Sequence, residues 1–295
     1  MNLVYAARRN EPGYPAAFLE LERSPEVWYW CGPGWPPAQP AVALVGARSA
    51  SPYGLELAES LGFELARRGV TVVSGLARGI DAAAHRGALS GGGAAVAVVA
   101  CDPAHPPLLE TASLHRRLLS TGAIGSEYGA TVAPRPGLFL RRNRLVAALA
   151  QVVVVVEAGA ASGALTTAAW ARRLGRAVAA VPGDVTRSVA AGPLRLLQSG
   201  AAPVANAEDI CRLLATGTVG ARVTARPAAT PGPSLAEPLL EALQSGGPIH
   251  PDRLSQQLGW TLPRVLARLS ECELAGRVDR VEGGRYRLRR REQAE

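Results

Sequence analysis

Residues 42–85 read VALVGARSASPYGLELAESLGFELARRGVTVVSGLARGIDAAAH. Two short apolar runs, Val42–Val45 and Val70–Val73, each lead into a small residue and a glycine. Between them, Tyr53–Arg68 repeats Leu and Ala at helical spacing, and Ile80–Ser90 opens a second helix. Strands that are apolar on both faces, alternating with helices, predict a parallel sheet covered on both sides. The alternation continues through the runs Ala94–Val99, Val152–Val156 and Ala177–Val181, with helices over Arg141–Ala150 and Ala161–Leu174. Right-handed crossovers make this a doubly wound, Rossmann-like α/β domain over residues 41–215. In such a sheet, ligands bind outside the carboxyl ends of the strands.

Outside that core the texture changes. Residues 1–40 are rich in Pro, Trp and Tyr and predict one short helix and one short strand, an N-terminal extension packing on the main domain. Residues 216–233, TGTVGARVTARPAATPGP, have no apolar period and read as a linker. Residues 234–290 then carry three short helical patterns, the second ending at Gly259 and the third running from Thr261 to Gly276. Two strands follow around Gly283-Gly284, a hairpin signal. Three helices and a β-ribbon describe a small C-terminal winged-helix domain.

Composition narrows the chemistry. The 295 residues carry a net charge of +8, which favours a polyanionic partner. No lysine occurs, so every one of the 32 basic residues is arginine. That excludes a P-loop NTPase, a pyridoxal-phosphate enzyme and a Ser-Lys hydrolase, each of which needs a lysine. Cys31, Cys101, Cys211 and Cys272 are far apart, as are His85, His105, His115 and His250, and neither set has metal-ligand or disulfide spacing. A reducing, cytoplasmic setting without metal or cofactor is expected. The start lacks the apolar core of a signal peptide, and the longest apolar run is far too short for membrane insertion.

The strand-to-helix junctions carry the candidate site. Gly46, Arg48 and Ser49 follow the first run; a glycine there lets backbone approach an anion, and an arginine fork suits phosphate. The dinucleotide fingerprint is absent, because Arg48 stands where its second glycine belongs. Ser74, Gly75, Arg78 and Gly79 form a second small-residue turn, with Asp81 in the first turn of the next helix and His85 one turn on. A hydrogen-bonded Asp81–His85 pair with a packing role is expected. Arg141, Arg142 and Arg144 bracket Asn143 beside Phe139, a basic cluster with an aromatic ring suited to stacking a base. Glu157 ends the fourth run, and Ser162, Gly163, Thr166 and Thr167 open the following helix. In the C-terminal domain, Arg264 and Arg268 lie one turn apart, and Arg285 and Arg287 lie on the last strand, a candidate duplex-DNA face.

At these residues the chain resembles the DNA-processing protein A family (DprA, also called Smf). VGARSASPYG, VVSGLARGIDAAAHRGAL, GSEY, FLRRNRLVAALA, EAGAASGALTTA, LGRAVAAVPGDV and GPLRLLQSGA follow in the family's order, and Leu274–Arg287 resembles its winged helix. The resemblance implies an extended Rossmann-like domain that binds single-stranded DNA as a homodimer. It also implies a mediator that protects incoming single strands in natural transformation. Such a mediator loads RecA recombinase, displaces single-stranded-DNA-binding protein and is not an enzyme. By motif position, Gly46, Arg48, Ser74, Gly75, Gly79, Arg142, Asn143, Arg144, Ser162 and Gly163 would line the DNA pocket. Leu140, Ala150 and Pro193 depart from the family pattern, as does the loop at 101–119.

Two other readings remain open. A Rossmann-like nucleotide phosphoribohydrolase would share the architecture, but EAGAASGALTT lacks the double glycine and spaced acid of that group. A winged-helix regulator of duplex DNA would make the C-terminal domain the main actor.

Overall fold

The computed structural model describes residues 3–106, 109–130, 132, 136–216, 237–244, 247–274 and 277–289. It divides into two compact units, residues 1–221 and 222–295. In chain order the first unit holds β1 (Tyr5–Arg8), β2 (Val27–Cys31), β3 (Ala41–Val45), α1 (Pro52–Arg67), β4 (Thr71–Ser74), α2 (Ile80–Ser90), β5 (Ala95–Val99), α3 (Ala112–Thr121), β6 (Ala123–Ser126), α4 (Pro136–Leu149), β7 (Val152–Val155), α5 (Ala164–Arg173), β8 (Ala177–Ala180), α6 (Ala191–Gln198), β9 (Ala202–Pro203) and α7 (Ala207–Ala215).

The strands form one sheet in the order β1-β2-β6-β5-β4-β3-β7-β8-β9. β6 through β9 in that order are parallel, as the alternation predicts. From β3 the chain first winds one way, to β4, β5 and β6, and then returns to β7 on the other side. The β3/β7 boundary is therefore the switch point of the sheet. Alternation along each strand splits the core in two. Val42, Leu44, Val72 and Val154 face α1, α2, α3 and α7, whereas Ala43, Val45, Val73 and Val153 face α4, α5 and α6.

The N-terminal segment differs from expectation. It contributes two strands, with a short 3-10 turn at Ala16–Glu20 between them, and both strands join the sheet antiparallel at one edge. Residues 1–40 thus extend the sheet as well as pack on it. Phe18, Trp28 and Trp35 are buried there, with Phe18 4.9 Å from Trp28 and Trp28 5.2 Å from Trp35, centroid to centroid. Large aromatics bury much area per residue, which anchors a segment with little regular structure. β6 and β9 also went unread, since AIGS and AP contain no β-branched run.

The second unit, taken by itself, holds α8 (Glu237–Gln244), α9 (Pro251–Leu258), α10 (Leu262–Leu274), β10 (Val278–Val281) and β11 (Arg285–Leu288). β10 and β11 pair antiparallel, and Gly283 and Gly284 both take φ +72° in the connecting turn. That left-handed backbone is what glycine permits. A bridge from Ile249 to Tyr286 ties the loop before α9 to the ribbon, over a core of Leu239, Leu243, Leu254, Val265 and Leu269. Gly259 closes α9 at φ +62°. Gly276 and nearly all of the expected linker lie outside the described residues. Among the described residues, no helix is long and apolar enough to cross a membrane.

Candidate nucleic-acid interface

The turns after β3, β4 and β7 meet at the switch point. The Ala47 N–H donates to the Glu157 carbonyl at 2.6 Å, and the Ile80 N–H donates to the Ala47 carbonyl at 3.2 Å. Gly46 and Gly79 allow this approach, because a Cβ at either would strike neighbouring backbone. Glu157, buried just past β7, accepts from the Ser51 N–H at 2.8 Å and the Ser51 hydroxyl at 2.5 Å, while Ser51 itself caps α1. Its carboxylate is therefore committed to holding the first turn of α1.

Arg48 and Ser49 are exposed on the first of these turns. The Arg48 guanidinium lies 5.3 Å from the centroid of the Phe139 ring, near the start of α4. α4 runs back along the sheet, so its first turns reach the carboxyl edge. Asn143 donates to the Gly163 carbonyl at 2.9 Å and to the Thr166 hydroxyl at 2.8 Å, which fixes the entry to α5 at Ser162-Gly163. Arg78 is exposed and only 3.5 Å from Glu110.

Below this surface lies a buried layer that the sequence did not resolve. Ser74 is fully buried, and its hydroxyl donates to the Leu44 carbonyl at 2.6 Å. Thr167 is buried inside α5. The arginine cluster is split, with Arg141 exposed but Arg142 and Arg144 each 4% accessible. Arg144 pairs with Glu127, at the end of β6, and Arg141 reaches the same carboxylate at 3.7 Å. Glu127 was overlooked as a site residue; its one signal was the acid in GSEY. Arg142 donates to the Val98 carbonyl beneath the turn at Gly75.

Asp81 and His85 do not bond to each other as expected. The Asp81 carboxylate accepts from the Gly75 N–H at 3.1 Å and is also held by the backbones of Ala77 and Gly46. Burial raises its pKa, against the pull of Arg142 and those N–H groups. The His85 ring is fully buried, and burial followed by the nearby Arg142 charge outweighs a backbone hydrogen bond at Ser74 and lowers its pKa to about 3. The ring is thus neutral in the fold and free to protonate near pH 6.5 once unfolded. This linkage holds stability in full above about pH 6.5 and removes it as pH falls toward about 3, by about 1.4 kcal/mol per pH unit. Urea titrations from pH 7 to pH 4 are expected to show this loss in the wild type. His85→Leu should lack that component of the slope; parallel profiles would refute it.

In the second unit the Arg264 guanidinium lies 4.4 Å from the Trp260 ring centroid, and Arg268 pairs with Glu271. Arg285 and Arg287 are exposed on one face of the ribbon. Among the described residues, no three His, Cys, Asp or Glu side chains gather as a metal site.

Residues 6–215 match the family model for DNA recombination-mediator protein A, and residues 223–284 match that for the DprA winged helix domain. The chain belongs to the DNA recombination-mediator protein A family. A putative DNA processing protein DprA of Mycobacterium tuberculosis is 44% identical over 257 residues, covering 85% of this chain and 64% of the relative. Protein Smf of Escherichia coli is 38% identical over 260 residues, covering 84% and 68%. The chain thus spans under two thirds of the length of the mycobacterial relative. The solved structure of DNA processing protein A from Streptococcus pneumoniae matches with a TM-score of 0.67 at 32% identity, covering 70% of this chain and 73% of the other. That from Helicobacter pylori, described by its single-stranded DNA binding mode, matches with a TM-score of 0.66 at 28% identity, covering 74% and 100%. DprA membership accounts for both units, the α/β sheet and the winged helix.

Proposed function

We propose that this DprA-family chain is a single-stranded DNA-binding recombination mediator that protects incoming strands and loads RecA recombinase during natural transformation. It acts in the cytoplasm as a homodimer, by binding and not by catalysis, and works against single-stranded-DNA-binding protein. The observation that carries the reading is the Arg48–Phe139 stack beside the glycine turns at the switch point. An unpaired base has a free face to stack on the ring, while its phosphate meets arginine. The proposed contacts are Gly46, Arg48, Ser49, Arg78, Gly79, Phe139, Ser162 and Gly163, over the buried Gly75. Ser74, Arg142, Asn143, Arg144 and Thr167 act as the layer that shapes them.

The commitment of Glu157 to Ser51 favours this over phosphoribohydrolase chemistry, which would need that acid on a ribose. A duplex contact through Arg264, Arg268, Arg285 and Arg287 remains an accessory proposal, resting on the exposed ribbon arginines. Fluorescence anisotropy of a labelled oligonucleotide across a salt series tests the reading. Tight binding of the single strand, weak binding of the duplex and a steep salt slope are expected. Preference for duplex would move the weight to the winged helix, and no binding at low salt would end the proposal.

A further inference from the structure

The second turn of the candidate site stands over an unusual cation. Arg142 is almost fully buried, and its Nε has no hydrogen-bond partner. A methyl group at Gly75 would fall inside its guanidinium, so the group lies directly against the Cα of that glycine. Among the described residues no carboxylate stands within ion-pair distance of it. Asp81 is the foremost opposing charge acting on it, but the Asp81 carboxylate is already engaged by backbone N–H groups of the same turn. Arginine keeps its charge even where burial opposes it.

Two further facts point upward from this cation. Arg48, exposed on the neighbouring turn, repels it electrostatically, so two like charges act on each other across the glycine turns. The turn between them is strained: Leu76 takes φ +55°, in the left-handed region, with its side chain fully buried. A bulky residue holds that backbone only where its surroundings enforce it. An anion seated above the turn would relieve the repulsion between the two arginines.

We infer that Arg142 is a positioning residue for the anion site. It supports the Gly75–Gly79 turn from below and lends its charge to a DNA phosphate that Arg48 touches and Arg142 does not. The inference rests on the single-stranded DNA reading above and divides that site into a contacting and a non-contacting arginine. For single strands, each phosphate contact contributes about 0.7 to the slope of log K against log salt. A contacting arginine therefore lowers both affinity and slope when removed, and a buried one lowers affinity alone.

The test compares the wild-type chain with Arg48→Ala, Arg142→Met and Arg142→Lys by anisotropy with an oligothymidylate over a salt series, alongside thermal melting. Arg48→Ala should bind roughly tenfold more weakly with the slope reduced by about 0.7. Arg142→Met should bind at least roughly tenfold more weakly with the slope unchanged. Arg142→Lys should recover much of the affinity while melting as low as Arg142→Met. A purely structural role would instead make affinity follow melting temperature in both variants. A reduced slope in Arg142→Met, affinity equal to wild type, or no rescue by lysine would each overturn the inference. If Arg142→Met fails to fold, Gly75→Ala, which displaces the guanidinium but keeps the charge, should weaken binding with an intact slope, and a reduced slope there would overturn it equally. A wild-type chain that does not bind the oligonucleotide would instead bring down the underlying reading.

Discussion

Asp81→Ala is expected to cost about 3–5 kcal/mol, because several buried backbone donors lose their acceptor together. Asp81 is 6% accessible and sits in the first turn of α2. It accepts from the Gly75 N–H and also engages Ala77 and Gly46, so its loss strands donors on two turns at once. It also supplies the foremost opposing charge felt by Arg142. Each orphaned buried donor costs about 1–3 kcal/mol, and the uncompensated guanidinium adds to that. The turn itself holds strain at Leu76 that alanine at position 81 would leave unsupported. For a unit of this size the melting temperature should fall by roughly 10 °C, at about 2–4 °C per kcal/mol. Asp81→Asn, which keeps one acceptor, should fall between. Differential scanning calorimetry reads both, and a change under about 1 kcal/mol for alanine would show that the turn holds itself, as most non-critical substitutions do.

The sheet was legible in the sequence because its central strands are buried on both faces. Runs such as VVVV at 152–155 show their burial directly, and their alternation with helices fixes the winding. Two other strands were not legible, the largely exposed edge strand β1 and the buried β6. β6 is written AIGS and β1 is YAAR, and neither shows a β-branched run or a clear period. Those strands form because neighbours pair with them, Tyr29 with Ser126 and Tyr5 with Trp30. The candidate site divides similarly. Small residues at strand ends located it, since backbone can approach an anion only there. Charge alone did not reveal depth: Arg141, Arg142 and Arg144 look alike in sequence, yet one is exposed and two are buried. Their fates depend on Glu127 and Asp81, which are brought to α4 by β6 and α2, and no local pattern announces such partners.

Phe139→Ala is expected to weaken single-stranded DNA binding by about 5–150-fold, since stacking one base on an aromatic ring contributes about 1–3 kcal/mol. The effect should spare the duplex, whose bases are already stacked on each other and offer the ring no face. It should also leave the salt slope unchanged, because a neutral ring releases no counterions. Phe139→Tyr should bind nearly as the wild type does, which separates the loss of a π-face from a disturbance of α4. The Arg48 guanidinium rests 5.3 Å from the same ring, so the two residues are one device: the ring orients the arginine, and the arginine gives the stacked base a charged neighbour. Arg48→Ala combined with Phe139→Ala should therefore lose less than the sum of the two single losses, a coupling of about 0.5–3 kcal/mol in a double-mutant cycle. Strict additivity would mean that the ring and the guanidinium meet different parts of the strand. An equal loss for duplex and single strand on Phe139→Ala would mean that the ring packs α4 and never meets a base.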